Sequence, residues 1–240
     1  MEKLIKSIQS LLSPKSNAIS APISDDKEKI MYKQIQECRD THDVLLGPDV
    51  TYFDLAEPAM DDQWNEHIYP NIKDYDLSIC IDLASGHGRN TNKLREYAKE
   101  VHLVDVNKSC IDACKKRFGE RDEKCAFFYY VNDGHTLKEI SSHSIQFIYS
   151  WDAMVHFDKL VVKEYVEEFY RVLRSGAFGF VHHSNYGVVN PSNEWMQNPG
   201  WRTNMTAQLF VDYCNEAGLK IVKQQLINND LDCISIFCKP

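Results

Sequence analysis

Short apolar runs alternate with amphipathic segments over the last two thirds of the chain, and this alternation predicts the fold. Apolar runs bounded by glycine and polar residues are typical of buried strands, and apolar positions three and four residues apart are typical of helices. Seven strands are predicted, at 77–85, 101–107, 125–134, 144–153, 176–186, 218–227 and 232–240. Helices are predicted between them at 89–100, 108–119, 159–174 and 203–217. Strands that alternate with helices form parallel βαβ units with right-handed crossovers. We therefore expect an α/β fold with a doubly wound, mostly parallel, Rossmann-like sheet of seven strands.

The first 76 residues differ in pattern and are predicted to form a helical cap with a tethered N-terminal segment. Residues 1–12 carry leucine and isoleucine at helical spacing but lack the longer apolar stretch and cleavage site of a secretory signal. We expect them to form a helix that docks on a partner, on this chain or weakly on a membrane surface. Residues 13–26 are rich in Ser, Pro and Ala and are predicted to be a flexible linker. The predicted division is 1–26 for this helix and linker, 27–76 for the helical cap and 77–240 for the main domain. Within the cap, helices are predicted at 27–39 and 61–68.

The composition narrows the class of partner. The chain has 240 residues, of which 43% are hydrophobic and 26% charged, so a sizeable core can form. Its formal net charge is −8 at pH 7, whereas a duplex-binding protein needs a basic surface to displace counterions. We therefore expect a small-molecule partner rather than a nucleic acid. No apolar run approaches the roughly 20 residues of a transmembrane helix, so no membrane span is predicted.

Eight cysteines are spread along the chain without a Cys-x-x-Cys pair. In a chain of this length, such usage indicates reduced and mostly buried thiols rather than a disulfide scaffold. Cys110 and Cys114 lie four residues apart on a predicted helix, and no second pair follows at zinc-finger spacing. We therefore expect a cytoplasmic protein.

Ligand binding is expected at the carboxyl ends of the strands, where doubly wound sheets bind their ligands. The first strand ends in the loop Asp82-Leu83-Ala84-Ser85-Gly86-His87-Gly88, and a helix follows directly. Glycines here allow a tight turn and a close approach of the ligand to the backbone, and the start of the helix offers unpaired N–H groups. The second strand ends in Asp105, where an acid can accept hydrogen bonds from both hydroxyls of a ribose.

This pattern resembles the class I S-adenosylmethionine-dependent methyltransferases, whose first motif reads acidic-x-Gly-x-Gly-x-Gly. Asp82-x-Ala84-x-Gly86-x-Gly88 departs from it in Ala84, which replaces the first glycine by the smallest available side chain. A dinucleotide-binding loop would have a third glycine where Thr91 stands, so a ligand without a pyrophosphate is favoured. The resemblance implies S-adenosyl-L-methionine as the cofactor and a last strand that is inserted antiparallel into the sheet.

Three later segments extend the resemblance over residues 77–240. Asn132-Asp133-Gly134 follows the third strand, where the family places an acid beside the adenine. Trp151-Asp152 follows the fourth strand, where the family lines the methionine and substrate pocket. Leu173-Arg174-Ser175-Gly176 resembles the family's Leu-x-Pro-Gly turn, with serine in place of proline. The residues that the resemblance implies in cofactor binding are Asp82, Ala84, Ser85, Gly86, Gly88, Asn90, Asp105, Val106, Asp133, Gly134 and Trp151.

Methyl transfer to a hydroxyl needs an aligned acceptor and a base that removes its proton. Candidates for this role at the expected substrate side are Asp152, His156, His182 and His183. His182 and His183 alternate on the fifth strand, so only one is expected to face the pocket. His183 lies nearer the end of the strand and is favoured as the base, although either histidine could be structural. His156 is the alternative base or substrate anchor, and Asp152 is expected to orient a histidine or to contact the amino group of the cofactor.

A metal-assisted transfer is the sharper alternative, as in the catechol-type members of the class. These members use acids after the fourth and fifth strands together with a neighbouring asparagine. Asp152 and Asn185 are present here, but the acid after the fifth strand is missing. No metal is therefore predicted.

Residues 185–202 form a long polar and aromatic segment after the fifth strand, and a long loop at this edge is typical of a lid. Tyr186, Trp195 and Trp201 are candidates for stacking on the ring of an acceptor, and Arg202 for binding a carboxylate or phosphate. The cap residues predicted to close the same pocket are Tyr52, Phe53 and Trp64.

The leading hypothesis is therefore an O-methyltransferase that acts on a small polar acceptor, sugar-like or hydroxylated, by in-line displacement with a histidine base. The alternative within the class is an N-methyltransferase that acts on an amine, a protein or RNA. The Asn-Pro-Pro-Tyr type of signature that would favour it after the fourth strand is absent from Trp151-Asp152-Ala153-Met154. A non-catalytic scaffold with this fold is the third hypothesis, and the oligomeric state stays open.

Overall fold

The structure is a computed structural model that describes residues 25–41, 51–192 and 194–240. The helix predicted at residues 1–12 lies outside the described residues. The same holds for the linker predicted at 13–26, as far as residue 24.

One sheet contains all seven predicted strands. The strands are β1 (Ile79–Leu83), β2 (Glu100–Asp105), β3 (Ala126–Val131), β4 (Ile145–Ser150), β5 (Leu173–Ser184), β6 (Lys220–Ile227) and β7 (Asp232–Cys238). Their order is β3-β2-β1-β4-β5-β7-β6, with β1 to β5 parallel and β7 antiparallel to both β5 and β6. The prediction of a mostly parallel sheet with an antiparallel last strand is confirmed. The strand order reverses between β1 and β4, which is where such sheets bind their ligands.

The helices differ from the prediction mainly in length. The described α-helices are α1 (Asp25–Thr41), α2 (Tyr52–Ala56), α3 (Met60–Gln63), α4 (Tyr69–Ile72), α5 (Thr91–Leu94), α6 (Lys108–Phe118), α7 (Lys159–Val172) and α8 (Ala207–Ala217). The helix predicted at 61–68 belongs to a longer run, because a π-helical turn at Trp64–Ile68 joins α3 to α4. The helix predicted at 89–100 is much shorter. After α5 the N–H groups of Lys99 and Glu100 bond to Ser78, which turns the chain into β2.

The core lies on both faces of the sheet. On β1, Ile81 and Leu83 point to a cluster that is covered by α1, α7 and α8. Cys80 points to the opposite cluster, which is covered by the run from α3 to α4 and by α5 and α6. Trp64 lies in this second cluster, is 4% exposed and stacks with Tyr69 and Tyr97. The expectation that Trp64 closes the pocket is therefore wrong, since its side chain is part of the core.

The two N-terminal helices cover the carboxyl edge of the sheet. Helix α1 packs against α7, and Gln34 donates a hydrogen bond to the main-chain carbonyl of His156. In α2, the ring of Phe53 stacks on His87 with 3.9 Å between the ring centroids. Glu57, at the end of α2, forms a bidentate ion pair with Arg117 of α6 at 2.6 and 3.1 Å. These contacts place α1 and α2 over the glycine loop and the end of β4.

All eight cysteines are free thiols; six of them are buried, and Cys38 and Cys238 are partly exposed. Among the described residues, no helix is long and apolar enough to cross a membrane.

Candidate active site

A cavity of about 620 Å³ lies at the carboxyl ends of β1, β2 and β4. Helices α1 and α2 cover it from one side, and the loop before α8 closes it from another. Its lining residues include Gln34, Cys38, Tyr52, Phe53, Ala84, Gly86, Asp105, Val106, Asn132, Gly134, Asp152, His156, Trp195, Trp201 and Arg202. A volume between about 300 and 1,000 Å³ is usual for sites that bind cofactors and small molecules.

The glycine loop forms one wall of this cavity. Gly86 has a φ of +53°, and a Cβ atom there would lie 2.6 Å from the ring of Phe53. Gly88 has a φ of +80°, and a Cβ atom there would lie 2.5 Å from the ring of Phe118. Both positions therefore require glycine for conformation and for space. Ala84 also has a left-handed backbone, with a φ of +57°, so the first glycine of the family motif is replaced at a position where glycine is favoured.

Asp105 is held at the end of β2 with its carboxylate on the cavity wall. One oxygen accepts the N–H of Gly86 at 2.9 Å, and the other accepts the N–H of Asn107 at 2.8 Å. Asp105 lies where the sequence predicts an acid for the ribose, and Val106 lies beside it on the same wall.

The turn after β3 brings Asn132 and Gly134 to the cavity, but not Asp133. The carboxylate of Asp133 accepts hydrogen bonds from Thr136 and Lys138 within its own turn. Burial raises its pKa, but these hydrogen bonds outweigh burial and hold the pKa below its usual range. Oδ1 of Asn132 is buried and has no hydrogen-bond partner among the described residues. Asn132 is therefore the acceptor available to a ligand on this side, a role that sequence analysis gave to Asp133.

Asp82, the acid of the first motif, lies behind the glycine loop and does not line the cavity. It is fully buried and accepts a hydrogen bond from the hydroxyl of Thr91 at 2.5 Å. Burial raises its pKa to about 7. Asn90 is likewise used inside the protein, where its Oδ1 accepts the hydroxyl of Tyr149 at 2.9 Å. Asn90, Ser85 and Trp151 instead line a narrow recess of about 40 Å³ beside the main cavity.

Asp152 forms a polar cluster where β4 ends. Its Oδ2 accepts hydrogen bonds from the hydroxyl of Tyr52 at 2.7 Å and from the guanidinium of Arg89 at 2.9 Å. Arg89 also donates to Gln63 at 3.0 Å, which in turn accepts the indole N–H of Trp151 at 3.1 Å. Arg89 was not among the residues predicted from the sequence. Its position directly after Gly88 was the available signal, because a buried arginine there needs an acidic partner.

His156 lies on the cavity wall, in a short 3₁₀ turn after β4. Its Nδ1 lies 2.9 Å from the main-chain carbonyl oxygen of Trp201. A carbonyl can only accept, so Nδ1 carries the proton and Nε2 of the neutral ring keeps its lone pair. Burial lowers the pKa of His156, while the Trp201 carbonyl partly offsets that effect.

The structure does not bring His183 or His182 to the cavity. The ring of His183 is fully buried against Phe210, and both its nitrogens have partners, the carbonyl of Ser184 at 2.9 Å and the hydroxyl of Ser235 at 2.8 Å. Burial also lowers its pKa to about 4. The ring of His182 packs against Trp151 at an interplanar angle of 30°, and its Nδ1 accepts the N–H of Asp152 at 3.3 Å. The expectation that His183 faces the pocket is therefore corrected: the strand alternates as predicted, but this face is covered by α8.

The loop before α8 supplies the remaining wall through Trp195, Trp201 and Arg202, whereas Tyr186 is not among the lining residues. The indole of Trp195 donates to Glu37 of α1 at 2.9 Å, which ties the loop to the cap. Arg202 forms a bidentate pair with Asp232 at 2.9 and 2.7 Å. The described residues contain no group of three or more His, Cys, Asp or Glu side chains placed to hold a metal ion.

Part of the chain matches a known protein family in sequence. Residues 80–176 match the family described as a methyltransferase domain. No curated protein matches the chain in sequence. Among solved structures, a chain of the complex between the Haloferax volcanii Trm112 methyltransferase activator and a methyltransferase has a TM-score of 0.59 at 17% identity. That match covers 78% of this chain and 95% of the other.

Two further solved structures have the same fold. A protein from Pyrococcus horikoshii has a TM-score of 0.60 at 16% identity, covering 80% of this chain and 94% of its own. A methyltransferase from Leishmania major that depends on S-adenosylmethionine has a TM-score of 0.61 at 13% identity, covering 91% and 86%. Residues 80–176 are therefore similar in sequence to a methyltransferase domain, and the chain shares its fold with solved methyltransferases.

Proposed function

We propose that this methyltransferase methylates a hydroxyl group of a small polar acceptor, sugar-like or hydroxylated, with His156 as the general base. The observation that carries the proposal is the hydrogen bond between Nδ1 of His156 and the carbonyl of Trp201. This hydrogen bond leaves a neutral imidazole whose Nε2 keeps its lone pair, on the wall of the cavity at the carboxyl edge of the sheet.

The residues on the cavity wall suit S-adenosylmethionine. Asp105 would accept hydrogen bonds from the two ribose hydroxyls. The unpartnered Oδ1 of Asn132 would accept a hydrogen bond from the amino group of the adenine. The glycine loop at Gly86 leaves space for the cofactor against the backbone. When bound, the cofactor supplies an electrophilic methyl group on its sulfur, which an acceptor oxygen can attack in line.

The protein's own part in the reaction is to hold the acceptor and to take its proton. Nε2 of His156 would take the proton of the acceptor hydroxyl, which makes the acceptor oxygen a better nucleophile. Because burial lowers the pKa of His156, the ring is neutral and able to accept a proton at neutral pH. Asp152 accepts hydrogen bonds from Arg89 and from Tyr52 of α2. We therefore propose that it holds α2 over the site and does not take part in proton transfer.

A small acceptor is supported by the size of the cavity and by the charge of the chain. The cavity of about 620 Å³ is bordered by α1, α2 and the loop before α8. The net charge of −8 weighs against a nucleic-acid acceptor. Eight free thiols suit a reducing compartment, so we place the enzyme in the cytoplasm.

The proposal is tested by incubating the protein with S-adenosylmethionine and a panel of hydroxylated and amine metabolites, while S-adenosylhomocysteine is measured by mass spectrometry. We expect turnover with a hydroxylated member. His156→Gln should then lower kcat by about 10²- to 10⁴-fold, the usual contribution of a general base. His183→Gln is the matched control, since its ring faces α8, and should keep kcat. Turnover with amines only, or an unchanged kcat in His156→Gln, would overturn the proposal.

A further inference from the structure

Two consecutive residues beside the base have a left-handed backbone. Gly200 has a φ of +59° and Trp201 has a φ of +54°. A positive φ is uncommon for any residue with a side chain and is a clear outlier for a bulky one such as tryptophan. Strained backbone of this kind persists only where the surroundings hold it, and it is frequent at functional sites.

Several hydrogen bonds hold this turn in place. The N–H of Trp201 donates to the carbonyl of Asn198 at 3.0 Å, and the side-chain amide of Asn198 donates to the carbonyl of Arg202 at 2.8 Å. The guanidinium of Arg202 donates to the carbonyl of Gly200 at 2.8 Å while it pairs with the buried Asp232. The turn is therefore fixed from both sides and anchored to the start of β7.

The same segment is joined to the turn that carries His156. The N–H of Thr203 donates to the carbonyl of Val155 at 3.1 Å, and its hydroxyl donates to the carbonyl of Phe157 at 2.7 Å. These bonds flank His156 on both sides in sequence. They bring the Trp201 carbonyl to 2.9 Å from Nδ1 of His156.

We propose that the Gly200–Trp201 turn is a positioning element that fixes the tautomer of His156, so that the ring presents Nε2 to the cavity as a base. This inference rests on the proposed function. Other groups near the ring do not supply an alternative partner for Nδ1. Asp152, Arg202 and His182 act on it only through their charges, and Gln34 and the Cys38 thiol of α1 bond to its main-chain carbonyl.

The test is the tautomer itself, read from the imidazole ¹⁵N shifts of the full-length protein and assigned to His156 with the His156→Gln variant. The wild type should show a proton on Nδ1. Gly200→Ala should disturb the turn, because its Cβ would lie 2.2 Å from the guanidinium of Arg202. A second tautomer should then appear, and kcat should fall on the order of tenfold or more, as small displacements of catalytic groups usually cause.

Two control variants separate the effect of the Trp201 carbonyl from the effects of backbone strain and of the indole side chain. Gly176→Ala carries the same left-handed strain, with a φ of +78°, but a Cβ there meets nothing within 4 Å, so the tautomer should not change. Trp201→Phe keeps the main-chain carbonyl and should also keep the wild-type tautomer. A wild-type proton on Nε2, an unchanged tautomer in Gly200→Ala, or an equal change in Trp201→Phe would overturn the inference.

The wild-type spectrum shows which ring nitrogen of His156 carries the proton, even if Gly200→Ala does not fold. The two proposals also fail differently. If the tautomer responds as expected while His156→Gln keeps its activity, the positioning turn stands and the role of His156 as a base is wrong.

Discussion

Three strained residues lie on the cavity wall. Seven non-glycine residues in the described part of the chain have a positive φ, and three of them, Ala84, Asp152 and Trp201, line the cavity. Such conformations cost about 1–3 kcal/mol each and are retained where the surrounding structure compensates. The site is thus set by backbone geometry as much as by the choice of side chains.

Asp82 gives a prediction about pH at the scale of a single residue. Its pKa is raised to about 7 by burial, whereas a carboxyl group in an unfolded chain titrates near 3.9. Between these values the folded protein holds a proton that the unfolded chain has released, so this group makes the free energy of unfolding fall as pH rises from about 4 to about 7. Asp82→Asn should therefore lose less stability over this range, by up to a few kcal/mol, because each pKa unit corresponds to about 1.4 kcal/mol.

The measurement is urea unfolding of both proteins at several values between about pH 5 and pH 8. Asp112→Asn, which removes a half-exposed carboxylate paired with Lys108 on α6, serves as the control and should follow the wild type. Parallel curves for the wild type and Asp82→Asn would show that the carboxyl group does not titrate in this range.

Helix α2 is the short element that closes the cavity over the glycine loop. Thr51 caps it, because its hydroxyl accepts the N–H of Asp54 while the Asp54 carboxylate accepts the N–H of Thr51. A helix of five residues has few bonds of its own, so this capping box and the contacts of Tyr52 and Phe53 define its position.

Thr51→Ala should therefore weaken the binding of S-adenosylhomocysteine. Loss of an N-cap costs about 1 kcal/mol, which corresponds to a loss of affinity of up to about fivefold if α2 must be docked for binding. Thr206→Ala is the matched control, since Thr206 caps α8 in the same way away from the cavity. Calorimetric titration of both variants should show weaker binding only in Thr51→Ala. Equal affinities would mean that α2 does not hold the cofactor.

The elements that the sequence predicts well are those whose signals are local. The strands β1 to β4 and the helices α6 and α7 carry their apolar periodicity within a single segment, and the glycine loop and Asp105 follow directly from strand ends. The predicted lengths of two regular elements were wrong, because contacts with another segment of the chain decide where these elements begin or end. Helix α5 ends early where Ser78 captures the next residues, and β5 begins early where Leu173 pairs with Ile145.

The parts of the site that could not be predicted depend on contacts between distant segments. His183 is excluded from the cavity by Phe210 and by Ser235, 52 residues away in sequence. The carbonyl that bonds Nδ1 of His156 belongs to Trp201, 45 residues away, and Gln34 of α1, 122 residues away, bonds the main-chain carbonyl of His156. Side chains alternate along a strand, so two neighbouring histidines face opposite sides of the sheet. The alternation does not indicate which of the two sides faces the ligand.

At the scale of the whole molecule, three separate parts of the chain close one cavity. Helix α1, helix α2 and the loop before α8 meet above the carboxyl edge of the sheet, and Trp195 joins the loop to α1 through Glu37. The walls of the cavity therefore come from segments that are far apart in sequence.

The central claim is that this cavity binds the cofactor through Asp105, and calorimetric titration with S-adenosylhomocysteine tests it most directly. The wild type should bind, and Asp105→Asn should bind about tenfold or more weakly, since hydrogen bonds to a charged group contribute about 1.5–3 kcal/mol. Asp133→Asn, whose carboxylate is occupied within its own turn, should bind like the wild type at a temperature where it is folded. Absence of binding by the wild type, or equal binding by Asp105→Asn, would contradict the account.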